Sequence, residues 1–144
     1  MRKLKHKAAL ALTTAAMLAC SVAVSAPANA ASSPIAACGG GSYHIVDSYD
    51  LTGHPGNGSA MLYLLYNGTT NCVVTWLTGA SVGTSAYMKA SIQRASDGKT
   101  VTDTGYYKYY AGPVKLSASG TCVKWSGFAF GSYQGWTSGW SHCG

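Results

Sequence analysis

The sequence predicts an all-β fold, a small disulfide-bonded β-sandwich or barrel preceded by a cleaved secretory signal peptide. Three observations predict it: a leader-like start, four cysteines in the part that follows, and short apolar or alternating segments separated by turn-forming residues. The chain contains no glutamate and is rich in Tyr, Gly, Ser and Thr. This composition disfavours helices and favours short strands joined by tight turns.

The first thirty residues have the three parts of an export signal. Four basic side chains are followed by an uncharged run over residues 8–24 and by Ala28-Asn29-Ala30. Small residues around an exit site predict cleavage after Ala30, so residues 1–30 are a secretory signal peptide. The run is shorter than the ~20 residues of a bilayer span, and we expect a secreted protein with no transmembrane segment. A weaker alternative is a lipoprotein, with lipid on Cys20.

Most of the positive charge belongs to this signal. Four of the ten Lys and Arg residues lie in it, so six basic side chains then face four aspartates and the formal charge falls from +6 to +2. No cluster of Lys or Arg remains in residues 31–144. We therefore expect no nucleic-acid partner, because such binding depends on neutralising phosphates with basic side chains.

The cysteines indicate two disulfides. Four cysteines follow the signal, which is typical of a small exported domain: Cys38, Cys72, Cys122 and Cys143. A nested pairing, 38–143 with 72–122, would join the two ends of the domain; the alternative pairing, 38–72 with 122–143, closes shorter loops. The residues leave both open. No Cys-x-x-Cys pair occurs, and we expect neither a metal site nor a cofactor.

The strands and turns expected after residue 30 are predicted from the period-two alternation of polarity and from the turn-forming residues. We expect a flexible N-terminal arm over residues 31–37 and a single all-β domain over residues 38–144. Residues 43–49 alternate as a strand, and residues 51–59 are turn-forming. The apolar residues 60–66 predict a central strand, which a turn at residues 67–71 joins to a partner strand over residues 72–77.

The second half of the chain continues the pattern. Residues 85–94 alternate in polarity and precede Asp97-Gly98, which predicts a hairpin strand rather than a helix. Another strand is expected over residues 106–110 and is broken by Gly112-Pro113. Two further short strands, residues 114–117 and 121–125, precede a tail rich in Gly, Ser and aromatic residues.

The acidic residues argue against an enzyme. Glycoside hydrolysis requires a pair of carboxyl groups in different environments, and Asp47 with Asp50 is the only close candidate. His44 with Asp47 is the His–Asp pair closest in sequence, and a Ser-His-Asp triad is recognised by its geometry rather than by such a spacing. We expect no catalytic residues and no enzymatic activity.

The aromatic residues are the positive signal for binding. A tyrosine run over residues 106–110 puts rings on both sides of a strand, and the C-terminal tail places rings among small residues. Aromatic rings stack on sugars and suit protein interfaces. We assign Trp76 and Trp125 to the core. The candidate surface-binding residues are Tyr107, Tyr109, Trp136 and Trp140.

Four segments, which include Cys72, Cys122 and Cys143, resemble the small secreted spore-associated proteins of filamentous actinobacteria. They are residues 43–48, 62–74, 109–125 and 142–144. The resemblance implies an exported protein of the spore or aerial-hypha surface. It carries over no catalytic residue.

We therefore expect a secreted, non-enzymatic protein associated with the spore or cell envelope surface. Its partner would be an envelope polysaccharide or a spore-surface protein. The alternatives are an extracellular glycan-binding module and an inhibitor of a secreted hydrolase.

Overall fold

The computed structural model describes residues 31–52, 59–131 and 135–144. The predicted signal peptide lies outside the described residues, and so do residues 53–58 of the segment 51–59 that was predicted to be turn-forming. The described residues form one helical turn, a short 3-10 turn at Gly79–Ser81 and eight strands. Their bounds are α1 Pro34–Ala37, β1 His44–Asp50, β2 Ser59–Tyr66, β3 Thr70–Thr78, β4 Ala86–Arg94, β5 Thr100–Tyr107, β6 Tyr110–Ser117, β7 Val123–Phe128 and β8 Gly135–Thr137.

The strands form two antiparallel sheets, which confirms the all-β prediction and selects the sandwich. The first sheet has the order β1-β2-β3-β6 and the second the order β5-β4-β7-β8. Every pairing within the sheets is antiparallel. Alternate side chains of the two sheets meet in a shared core, as the pleat requires. Its largest fully buried members include Leu62, Leu64, Val73, Met88, Ile92 and Trp125.

Two predicted hairpins are confirmed. The amide oxygen of Asn67 accepts hydrogen bonds from the backbone of Thr69 and Thr70, at 3.1 and 2.8 Å, and closes the β2–β3 turn. The segment predicted as a strand over residues 85–94 forms β4, Ala86–Arg94, and the Asp97-Gly98 turn joins it to β5. In that turn the guanidinium of Arg94 donates to both carboxylate oxygens of Asp97, at 3.0 and 2.6 Å.

The prediction of one strand over residues 106–110 is wrong. The chain leaves the second sheet after Tyr107 and enters the first sheet at Tyr110, so this run is a crossing between sheets. Gly112-Pro113 does not break the next strand either, since β6 runs through it with a register shift opposite Val73 and Thr75. Gly112 has φ +92°, and a Cβ there would lie 2.7 Å from the carbonyl oxygen of Val73. Only glycine fits this close approach.

The structure also differs from the expected flexible arm at residues 31–37. Ser33 caps α1 by accepting a hydrogen bond from the backbone of Ala36 at 3.1 Å. The turn packs on the outer surface of the first sheet, where Leu65 and Val74 are fully buried beneath it. The Cys38–Cys72 disulfide holds it there.

The disulfides follow the shorter-loop alternative. Cys38 pairs with Cys72 and Cys122 with Cys143, at sequence separations of 34 and 21 residues. The nested pairing does not form, because Cys38 and Cys72 are buried together outside the first sheet while Cys122 and Cys143 lie together beside β7. The C-terminal pair attaches the tail next to β7, where Val123 and Ser141 exchange two backbone hydrogen bonds.

Candidate binding face

The outer surface of the second sheet is open among the described residues, whereas α1 covers part of the first sheet. Inward positions of β4 hold Ala86, Met88, Ala90 and Ile92, all buried. The alternate positions point outward and line up across β5, β4 and β7, because the register places them opposite one another. We call this surface the outer face. Its members on these three strands are Tyr87, Lys89, Ser91, Gln93, Thr100, Thr102, Thr104, Tyr106, Lys124, Ser126 and Phe128.

Three aromatic rings meet at one end of the outer face. The rings of Tyr87 and Tyr106 lie 5.1 Å apart between centroids, and those of Tyr87 and Phe128 lie 5.5 Å apart. Both pairs are tilted, at 48° and 41°, which is a favoured arrangement for aromatic rings. Tyr106 is 76% exposed and Tyr87 is 41% exposed. Large rings this accessible on neighbouring strands are available to a ligand.

The middle of the outer face carries hydroxyl groups. Thr100, Thr102 and Thr104 are exposed along β5. The hydroxyls of Ser91 and Thr102 lie 2.8 Å apart and hydrogen-bond across the β4–β5 pair. Ser126 continues the row on β7. These groups are donors and acceptors, so the surface can exchange hydrogen bonds with a polar ligand.

At the opposite end of the outer face, a lysine ammonium lies over the ring of a tryptophan. The Nζ of Lys124 lies 4.6 Å from the centroid of the Trp140 ring, within the range of a cation–π contact. Trp140 is 47% exposed. Lys124 and Trp140 lie between Cys122 and Cys143 in the sequence, and the disulfide that joins these cysteines keeps the tail beside β7.

No acidic side chain lies on the outer face. The chain has four acidic side chains in all, and the structure describes each of them. Asp47 and Asp50 belong to β1 of the other sheet. Asp97 lies in the β4–β5 turn, where hydrogen bonds from Arg94 lower its pKa to about 2. Asp103 points inward, so the charges of the outer face are positive.

Asp103 joins the two sheets at their edge. One carboxylate oxygen accepts a hydrogen bond from the Tyr107 hydroxyl at 2.5 Å, and the other accepts one from the backbone N–H of Gly112 at 2.7 Å. The hydrogen bond to Asp103 and partial burial raise the pKa of Tyr107 to about 12. Tyr107 is therefore engaged by Asp103 and by the core rather than by the outer face.

A second feature is a small cavity beside the C-terminus. Its volume is about 210 Å³, and its wall includes Val46, Asn71 and His142. The Nε2 of His142 lies 3.7 Å from a carboxylate oxygen of Asp47, and the Nδ1 lies 3.0 Å from the Ser141 hydroxyl. This His–Asp pair was not predicted, because the two residues are far apart in sequence.

A curated relative shares much of this chain. Spore-associated protein A of Streptomyces coelicolor is 39% identical over 121 residues, which are 83% of this chain and 72% of the relative. The chain belongs to the family of spore-associated protein A. No model of a known protein family matches it, and no solved structure does.

This relation confirms the resemblance to spore-associated actinobacterial proteins that the sequence predicted. The relative's name states an association with spores and no chemistry. In residues 31–52, 59–131 and 135–144, no helix is long and apolar enough to cross a membrane.

Of the four candidate binding residues in this member of the spore-associated protein A family, only Trp140 lies beside the outer face. Tyr109 is 44% exposed but belongs to the crossing between β5 and β6. Tyr107 and Trp136 are partly buried and pack against the core rather than on the outer face. Trp136 stacks on Tyr49 at 4.3 Å and meets Trp125 edge-on at 4.9 Å.

Sequence reasoning missed Tyr87, Tyr106 and Phe128. The signal for Tyr87 was present, because it alternates with buried residues along β4. Trp125 is buried as predicted, whereas Trp76 is only partly buried and stacks on Tyr110 at 4.8 Å outside the first sheet.

Proposed function

We propose that this chain is an exported, non-catalytic protein that is retained at the spore or cell envelope surface. The observation that carries the proposal is its relation to spore-associated protein A, at 39% identity over 72% of that relative. The outer face supports it, because exposed rings and hydroxyls on a rigid sheet suit adhesion. Glycan binding through this face is the means of retention that we favour.

A hydrolase is the competing function, and the His–Asp pair is its best support. Ser141, His142 and Asp47 stand in the order of a Ser-His-Asp relay. However, the 3.7 Å separation between His142 and Asp47 exceeds hydrogen-bond length, and orienting the base requires that bond. We assign the pair the role of tethering the tail to β1.

Fractionation of a sporulating culture tests the proposal. The chain, tagged at its C-terminus, should be recovered with washed spores or cell walls rather than in the medium. A matched chain without residues 1–30 should remain inside the cells. Recovery of the full chain in the medium alone would contradict retention.

Activity measurements test the non-catalytic part. The purified chain and its Ser141→Ala variant should hydrolyse ester and glycoside substrates no faster than buffer. Turnover by the parent chain that the Ser141→Ala substitution abolishes would establish a hydrolase instead.

A further inference from the structure

We infer that the outer face binds an extended acidic polysaccharide whose charge is carried by sugar carboxylates. The inference rests on the proposed function and names the partner of the same face. It depends on three features of that face: the sign of its charges, the repeated association of a ring with a lysine, and the hydroxyl row between them.

The sign of the charge selects an acidic ligand. Lys89 and Lys124 are the two charged side chains of the outer face, and all four aspartates lie elsewhere. The opposite sheet carries Asp47 and Asp50 together with Lys115, so its charges are of both signs while those of the outer face are positive. A surface with charges of one sign attracts polymers of the other sign.

The rings select a sugar polymer. At one end Lys89 pairs in register with Phe128, beside the exposed rings of Tyr87 and Tyr106. At the other end Lys124 contacts Trp140. An aromatic ring takes the apolar face of a sugar, and an adjacent lysine can pair with a carboxylate on that sugar.

The spacing selects an extended chain rather than a single sugar. Phe128 and Lys124 are four residues apart on β7, so the two ring-and-lysine ends lie roughly 13 Å apart along the strand. The exposed Thr102 and the partly buried Ser126 place their hydroxyls between the two ends, whereas Ser91 is buried and bonded to Thr102. A polymer with an acidic group on its repeating sugars can occupy both ends and hydrogen-bond to this row.

Polygalacturonate is the probe that we would use, with fully methyl-esterified polygalacturonate as its uncharged match. The oxidised, exported chain should bind the acid polymer in affinity electrophoresis, and added NaCl should weaken this binding. The esterified polymer should bind more weakly. Poly(glycerol phosphate) serves as a third arm and should also bind more weakly than polygalacturonate.

Substitutions locate the site. The double variant Lys89→Gln with Lys124→Gln should bind polygalacturonate about three- to tenfold more weakly, as expected for two exposed ion pairs. Lys115→Gln, in β6 of the other sheet, is the matched control and should bind as the parent does. Tyr106→Ala should weaken binding to both the acid and the esterified polymer, whereas Tyr109→Ala should weaken neither. Melting temperatures verify that each variant is folded.

The outcomes separate this inference from the proposed function. Equal binding of the acid and esterified polymers, stronger binding of the phosphate polymer, or an equal loss with Lys115→Gln would overturn the inference. Retention on spores without binding to polygalacturonate would overturn it too, while leaving the proposed function standing. Binding to polygalacturonate by a chain found only in the medium would overturn the proposed function alone.

Discussion

Gly127 lies where a side chain would collide with the opposite sheet. A Cβ at this position would meet the hydroxyl of Thr75, and it would lie 2.6 Å from Leu62 Cδ1 and 2.8 Å from the carbonyl oxygen of Lys89. The same space lets the Thr75 hydroxyl donate a hydrogen bond of 2.6 Å to that carbonyl, across the sandwich. One missing side chain thus permits a polar contact between the two sheets.

Gly127→Ala should therefore destabilise the fold. We expect the free energy of unfolding to fall by about 1–3 kcal/mol, the usual cost of overpacking a core. Urea unfolding monitored by tryptophan fluorescence measures this change. Gly139→Ala is the matched control, because a Cβ at Gly139 has no neighbour within 4 Å. Equal stability of the two variants would contradict the close contact.

The Asp103–Tyr107 hydrogen bond gives the fold a pH dependence. The pKa of Tyr107 is raised to about 12, above its usual value near 10, because the folded state favours the protonated hydroxyl that donates to Asp103. The raised pKa means that this bond stabilises the fold fully below about pH 10, and that the contribution is lost as the pH rises toward 12.

Tyr107→Phe should thus lower the melting temperature at pH 8, and the difference from the parent should shrink between about pH 10 and 12. Melting curves over this range measure it. Tyr106→Phe, at the exposed neighbouring position, should melt as the parent does throughout. A Tyr107→Phe difference that is constant with pH would show that Tyr107 contributes by packing alone.

At the scale of elements, α1 is a cover for the first sheet that depends on its disulfide. The turn has four residues, too few to be stable by itself. Its position follows from Cys38–Cys72 and from the burial of Leu65 and Val74 beneath it. The C-terminal disulfide instead fixes the tail and Trp140 beside β7.

The two disulfides should therefore differ in their effect. Replacing Cys38 and Cys72 together with Ala should cost about 3–5 kcal/mol, since the cross-link is lost and α1 is released from Leu65 and Val74. The equivalent Cys122 and Cys143 variant should cost less, because its loop is shorter. Equilibrium urea unfolding compares the two. A larger loss for the C-terminal pair would contradict the covering role of α1.

At the scale of the whole molecule, the cap of α1 limits where the predicted signal peptide can be cleaved without loss of a contact. Ser33 caps α1 and Ser33 Oγ accepts from the backbone of Ala36, so cleavage after Ala30 leaves this contact intact. Cleavage a few residues later would remove the cap of α1.

The exported protein should thus begin at Ala31. Intact-mass spectrometry of protein from the medium or spore wash should give the mass of residues 31–144, lighter by two hydrogens for each of the two disulfides. Thiol alkylation without reductant should add no mass. A lipid on Cys20, or an alkylated cysteine, would contradict secretion as a disulfide-bonded protein.

The local pattern of the sequence was sufficient for the elements that depend on neighbours in the chain. The alternation in residues 85–94 and the Asp97-Gly98 turn predicted a hairpin, and the Asn67-Gly68 turn predicted another. An even set of cysteines after the signal predicted two disulfides. The alternation of a strand and the residue preferences of a turn depend only on neighbouring residues, so both can be read from a single sequence.

Only the tertiary structure decided which rings face outward and which cysteines pair. Period-two alternation separates the two sides of a strand but does not say which side is buried when both carry tyrosine, as at Tyr106 and Tyr107. The layering of β5 on the core decides this case, because it puts Tyr107 on the same inward side as Val101 and Asp103, whose carboxylate accepts from the Tyr107 hydroxyl. Cysteine pairing and the positive outer face depend likewise on how distant strands are layered, and no local pattern records that layering.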